Sequence, residues 1–327
     1  MALLVLVALS LLTGTLSYAL GSAPATSLVT TAHGALGLAL VLLVPWKQAV
    51  ARSGLRRPAH RGRTAGLALG VLLLLTVVAG VAQVTFGWRT VLGLAPLQVH
   101  VAAALLAAPL LVGHLVTHWQ PPRRVDASRR TVLSAGLVAA GGLLAVLGVD
   151  GITRGLGLPG ARDRPTGSSE RGSFEPALMP VTQWFLDTVP SDVRALRVVV
   201  DQRAVEPDLG ALAQEEVEAV LDCTGGWYAA QRWGGVRLDR LLPATLPMSA
   251  RSIDVVSVTG YRRRFPLDDA PRLLLATSVG GRPLSPGHGA PLRLIAPERR
   301  GFWWVKWVVA IEVSDAPPWA QPPFPLT

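Results

Sequence analysis

The sequence predicts two unlike parts, an N-terminal all-α transmembrane helix bundle of about five spans and a C-terminal, mostly-β α+β domain. Three observations carry that division. Half of the residues are hydrophobic and mean hydropathy is +0.41, which calls for membrane segments beside a globular part. Charge is segregated: residues 1–150 carry eleven Lys or Arg against only Asp126 and Asp150, net +9, whereas residues 151–327 carry twenty basic against nineteen acidic residues, net +1. Beyond residue 174 the long apolar runs give way to short ones between Gly/Pro turns, the pattern of a β-rich domain.

Five apolar stretches are long enough, or nearly so, to cross a bilayer: 2–20, 27–46, 65–86, 95–116 and 131–149. The segment 47–63 carries six basic residues and 118–130 carries four, while the alternate connections 21–26 and 87–94 hold only Arg89. The positive-inside rule then places the two basic segments and the N-terminus in the cytoplasm, and the C-terminal domain outside a bacterial cytoplasmic membrane. Because the excess basicity is a topology signal, no nucleic-acid partner is expected. The fifth stretch opens Ser128-Arg129-Arg130-Thr131-Val132-Leu133, which reads either as a twin-arginine export signal or as an ordinary cytoplasmic arginine pair.

Residues 1–149 are therefore expected to form the transmembrane domain. Residues 150–173, rich in Gly, Pro, Ser and Arg, read as a flexible linker, 174–316 as the catalytic-type domain and 317–327 as a proline-rich tail. Within the domain, strands are expected at 196–200, 219–221, 253–258, 272–276, 292–296 and 303–313, with the acidic stretch 210–220 as its clearest helix.

Two residue sets point to chemistry. His33 and His100 each lie about five residues inside the outer end of their spans, at matched depth. They read either as axial ligands of one b-type haem or as helix-packing histidines. Cys223 is the only cysteine, so no intramolecular disulfide holds the outer domain. It stands at a strand end before Thr224-Gly225-Gly226, which suits a thiolate presented to a metal or substrate, and equally suits a small buried hydrophobe.

From Cys223 onward the chain resembles the sulfite oxidase family of molybdopterin enzymes. Three ordered blocks carry the likeness: Cys223 with Arg232-Trp233-Gly234-Gly235-Val236-Arg237-Leu238; Gly281-Arg282-Pro283-Leu284 through His288-Gly289-Ala290-Pro291-Leu292-Arg293-Leu294; and Pro297 through Val305-Lys306-Trp307. The resemblance implies a sulfite oxidase-type fold and Mo-molybdopterin as cofactor, with Cys223 giving its sulfur to the metal. It also implies Thr224, Gly225, Arg232, His288, Arg293 and Lys306 along the cofactor, and Tyr261 as an active-site tyrosine. The likeness is greatest to the bacterial branch that includes the periplasmic methionine-sulfoxide reductase, here fused to a cytochrome-b-like anchor. The arginine that sulfite oxidases place before the first domain strand has no counterpart in residues 174–190.

The resulting expectation is a membrane-anchored oxidoreductase that transfers an oxygen atom to or from a small S-oxide or sulfite-type substrate. Electrons would pass through the His33/His100 haem to or from a membrane quinone or respiratory carrier. The alternative is a non-catalytic membrane haem protein whose outer domain is a degenerate cofactor-binding or partner-docking module.

Overall fold

The computed structural model describes residues 2–21, 24–45, 48, 62–117, 128–181, 190 and 194–322. The basic residues expected at 47–61 and 118–127, and most of the arginine-free region 182–190, lie outside the described residues. The chain divides into two compact units, Met1–Ser169 and Glu170–Thr327.

The first unit is helical: α1 (Ala2–Ala19), α2 (Ala25–Leu42), α3 (Gly62–Phe86), α4 (Pro96–Thr117) and α5 (Arg129–Gly155). Four of them, α2 to α5, are long and apolar enough to cross a membrane; α1 is a shorter apolar helix over Val5–Ala19, so the fifth span rests on it alone. Large aliphatic side chains such as Leu74, Leu105 and Leu137 stay exposed on the helices, as they do where lipid is the solvent. Helix α2 packs on α1 and α5, and α3 on α4. Small residues permit the closest contact: a Cβ on Gly142 would come 2.2 Å from the Ala35 carbonyl oxygen. Ser128 caps α5 by accepting from the Thr131 N–H, so the residue that opens the Arg129-Arg130 motif also has a local structural role.

The stretch expected as a flexible linker is folded. Helix α5 runs on to Gly155, a 3-10 turn covers Pro159–Arg162, and the chain then folds onto the end of α3. Gly160 is there for closeness, since a Cβ would fall 2.0 Å from the Val84 carbonyl oxygen. Gln83 donates to the Gly167 carbonyl (2.9 Å), and Ser169 Oγ accepts from the Trp88 N–H (2.8 Å). The Gly and Pro content that reads as flexibility serves tight turns and close approaches instead.

Asp163 hydrogen-bonds Ser169 in this segment, and burial pushes its carboxyl up from 3.8 to about 6. Its charged form is disfavoured in the folded state, so the penalty is absent near pH 4 and fully present above about pH 6; stability falls as pH rises between them. Asp163→Asn is therefore expected to stabilise the protein at pH 8 by about 1 kcal/mol, discounted for partial solvent contact, and to change nothing at pH 4. Thermal midpoints of the detergent-purified protein at the two pH values check this.

The second unit follows the short strand β1 (Ser169–Glu170) and contains two sheets. In the first, β5 (Trp227–Arg237) lies between β4 (Glu215–Cys223) and β8 (Leu274–Val279), and β8 in turn pairs with β9 (Arg282–Pro283) and β10 (Arg293–Ile295), all antiparallel. In the second, the order is β3 (Arg203–Val205), β2 (Arg197–Val200), β11 (Val308–Ser314), β6 (Ser252–Ser257), β7 (Arg262–Pro266), with β2 and β11 parallel and the rest antiparallel. Trp233, Phe265, Ile253, Leu275, Leu294 and Ile311 are fully buried in this unit. The helix expected at 210–220 is absent: a 3-10 turn at Leu209–Ala211 precedes β4. Glu216 and Glu218 point outward while Ala219 and Leu221 point inward, so two-residue alternation and pairing with β5 override the helix propensity of an Ala/Glu/Leu-rich stretch. The register shift at Gly234/Gly235 brings β5 close to β8, and a Cβ on Gly235 would meet the Leu275 carbonyl oxygen at 2.1 Å.

Candidate functional site

Three elements converge on the end of β4. Cys223 closes that strand opposite Trp227, the first residue of β5, and Gly226 (φ +96°) lets the chain reverse between them. A 3-10 turn at Gly301–Trp303 packs against the same end, so closely that a Cβ on Gly301 would lie 3.1 Å from the Cys223 α-carbon. Arg293, opening β10, and Lys306 face one another across an isolated bridge.

These elements border a small cavity lined by Cys223, Trp227, Arg293, Gly301 and Lys306, with Pro180, Val181 and Leu221 also on its walls. Lys306 Nζ donates to the Val181 carbonyl (3.0 Å), and Arg293 Nη1 donates to the His288 carbonyl (3.1 Å) while its guanidinium lies over the Trp233 and Trp304 rings. A soft sulfur and two cations thus share one buried space. Burial pushes the Cys223 thiol up to about 11; the Gly225 N–H it accepts (3.3 Å) and the Arg300 charge act in the opposite direction. The protein alone keeps this sulfur protonated at neutral pH, and a bound metal would be what deprotonates it.

Of the residues expected along the cofactor, Cys223, Arg293 and Lys306 meet at this cavity; Gly225 adjoins it, and Thr224 is buried in the same turn. His288 is buried beside it but its ring is committed elsewhere. Nε2–H donates to the Met179 carbonyl (3.1 Å), Nδ1 accepts from the Ser285 hydroxyl (2.9 Å), and burial lowers its pKa, so it latches a loop as a neutral imidazole. Arg232 is exposed, on the opposite face of β5 from Trp233 and across from Glu218, and does not line the cavity. Tyr261 is likewise not a lining residue: its hydroxyl donates to the Phe302 carbonyl, next to Gly301. Arg262, Arg263 and Arg264 do not line the cavity either. Arg264 pairs with Asp254, Arg262 reaches Asp254 and Glu312, and Arg263 stacks on Trp303.

Sequence reasoning missed three residues here. Asp222 and Arg300 form an ion pair that is almost fully buried directly behind Cys223. Trp227, inside the glycine-flanked stretch, lines the cavity; the signal for it was the polar N–H that a buried indole must place somewhere.

In the helical unit the structure brings His33 on α2 and His100 on α4 together, ring centroids 5.8 Å apart and planes perpendicular. His33 Nδ1–H donates to the Ser10 carbonyl (3.0 Å) and His100 Nδ1–H to the Thr76 carbonyl (2.7 Å). Both tautomers are thereby fixed with Nε2 as the unprotonated nitrogen, which is how metal-binding imidazoles are commonly held. Gly14 and Gly80 make room for the rings, since a Cβ on either would come 2.9 Å from a ring atom. Among the described residues no cluster of three or more His, Cys, Asp or Glu is arranged for a metal ion.

Residues 195–321 match the family model for an oxidoreductase molybdopterin binding domain. The catalytic subunit of a protein-methionine-sulfoxide reductase, MsrP, from Xanthomonas axonopodis is 33% identical over 128 residues, 34% of this chain and 40% of that protein. The uncharacterized oxidoreductase YuiH of Bacillus subtilis is 32% identical over 111 residues, 33% of this chain and 56% of that protein. A nitrate reductase [NADPH] from Mycosarcoma maydis is 46% identical over 57 residues, 17% of this chain and 6% of that protein. The chain spans less than two thirds of the length of each of these relatives.

Proposed function

We propose, from the oxidoreductase molybdopterin-binding domain at residues 195–321, that the chain is a membrane-anchored molybdopterin oxidoreductase acting on a small S-oxide-type substrate outside the cytoplasmic membrane. The observation that carries this reading is the meeting of Cys223, Arg293 and Lys306 at one small cavity. The donor set fits the group: molybdenum accepts a soft thiolate, and the anionic pterin suits buried cations. When bound, the cofactor supplies oxygen-atom transfer coupled to a two-electron redox change.

The chain's own residues have definable tasks. Cys223 offers its sulfur from a strand end paired with Trp227, with the Gly225 N–H directed at it. Arg293 and Lys306 lower the cost of bringing negative charge into a dry site. His288 and Ser285 hold the loop whose backbone carbonyl fixes Arg293. Cys223, Trp227, Arg293 and Lys306 are all buried, and the low local dielectric strengthens charge interactions there.

For the helical unit the reading is a transmembrane anchor in which His33 and His100 hold one b-type haem, with a membrane quinone or respiratory carrier as electron partner. The carbonyl-fixed tautomers and the two glycines that accommodate the rings support it. Metal analysis of detergent-purified full-length protein tests both halves. The expected result is about one molybdenum per chain together with a b-type reduced-minus-oxidised spectrum, the spectrum lost in His100→Ala with molybdenum retained. Haem without molybdenum, from a host that makes the cofactor, would replace this reading with a non-catalytic haem protein.

A further inference from the structure

Trp227 is 2% exposed, and its indole Nε1 is buried with no hydrogen-bond partner among the described residues. Other deeply buried tryptophans of the same unit satisfy theirs: Trp233 donates to the Ala219 carbonyl (3.2 Å), Trp304 to Arg299 (3.1 Å) and Trp307 to Pro286 (2.9 Å). An orphaned buried donor is rare enough to need a cause. Trp227 lines the cavity that also holds Cys223, Arg293 and Lys306. Gly225 locates the space between them, because a Cβ built there would stand 3.5 Å from Cys223 Sγ and 3.8 Å from Trp227 Nε1. That point is equally far, 3.8 Å, from Trp227 Cδ1, so sulfur and the indole edge face a common space free of a side chain, and an acceptor atom must sit nearer the nitrogen than this, at about 3 Å, to take the bond.

An indole N–H only donates, so its partner must be an acceptor. The two cations on the same walls favour an acceptor oxygen with partial negative charge, as the oxygen of an S-oxide has, beside the anionic pterin they would hold. We propose that the Trp227 indole N–H donates to the sulfur-bound oxygen of an S-oxide substrate held beside the Cys223 sulfur. This rests on the molybdopterin reading above. The bound cofactor would supply the two electrons and accept the oxygen as the S–O bond breaks; the proton stays on the Trp227 nitrogen, and its bond to the oxygen strengthens as charge builds there, so the benefit falls on kcat more than on KM.

The test is Trp227→Phe in the full chain, which keeps the ring and removes the N–H. Molybdenum content is measured on each sample, methyl phenyl sulfoxide serves as substrate and dimethyl sulfone as the non-reducible probe. The expected result is unchanged molybdenum, a kcat/KM about tenfold to a hundredfold lower, carried mainly by kcat, and weaker sulfone binding. In metal-free protein the variant should unfold at or above the wild-type temperature, because its N–H has no bond to lose there. Wild-type kcat/KM and sulfone affinity in the molybdenum-loaded variant would overturn the proposal. So would a metal-free variant that unfolds several degrees lower, since the N–H would then be bonded within the fold. A wild-type protein that holds molybdenum but leaves the sulfoxide untouched removes this assignment while keeping the cofactor reading. One that holds no molybdenum removes the cofactor reading itself, and the metal-free comparison then decides whether the donor is unsatisfied.

Discussion

Cys223→Ser is expected to lower turnover by at least about a thousandfold, roughly 4 kcal/mol on the activation barrier, while the fold and the spectrum of the helical unit persist. Serine is nearly the same size and inherits the Gly225 N–H that now points at sulfur. The strand end that presents residue 223 is held independently, by pairing with Trp227 on one side and by the Gly301 turn on the other. What changes is the donor: a hard oxygen with a far higher pKa replaces a soft sulfur that a metal deprotonates readily. Turnover, molybdenum content and circular dichroism measured together separate the causes. A serine variant retaining more than about a tenth of wild-type turnover would remove Cys223 from the chemistry.

The parts of this site that were legible in the sequence are those whose meaning is local or motif-bound. Cys223, Arg293 and Lys306 come from three ordered blocks, and they meet at the cavity because the end of β4, the start of β10 and the stretch before β11 come to one place. Residue type did not reveal side-chain direction. Arg232 is one residue from Trp233 and so points the other way, and Tyr261 spends its hydroxyl on a backbone carbonyl. The resemblance puts His288 along the cofactor, yet burial and two neutral partners make it a latch. The helices were legible because their apolar stretches need no tertiary information, whereas β4 was legible only at its apolar end, 219–221: the strand identity of 215–218 comes from pairing with β5 around one tight turn. The folded segment after α5 was hidden for the opposite reason, since Gly and Pro mark loops and close contacts alike.

The second large effect is expected one residue behind the cysteine. Asp222 and Arg300 have side chains 4% and 2% exposed and form an ion pair at the point where β4 bridges to the chain before Gly301. Arg300→Met would leave the Asp222 carboxylate buried beside a missing charge, a loss of about 3–5 kcal/mol. Replacing both, Asp222→Leu with Arg300→Met, removes the uncompensated charge, and most of the stability should return. Thermal unfolding of the single and double variants measures this as a coupling between the two sites. Cofactor retention should behave differently. The pair does more than cancel charge, because it ties the strand that carries Cys223 to the turn that carries Gly301, and an apolar pair of similar volume supplies contact without that registration. The double variant is therefore expected to regain its melting temperature and still hold less molybdenum than wild type. Full recovery of both would mean that the ion pair compensates its own burial and leaves the metal ligand's position to the backbone alone.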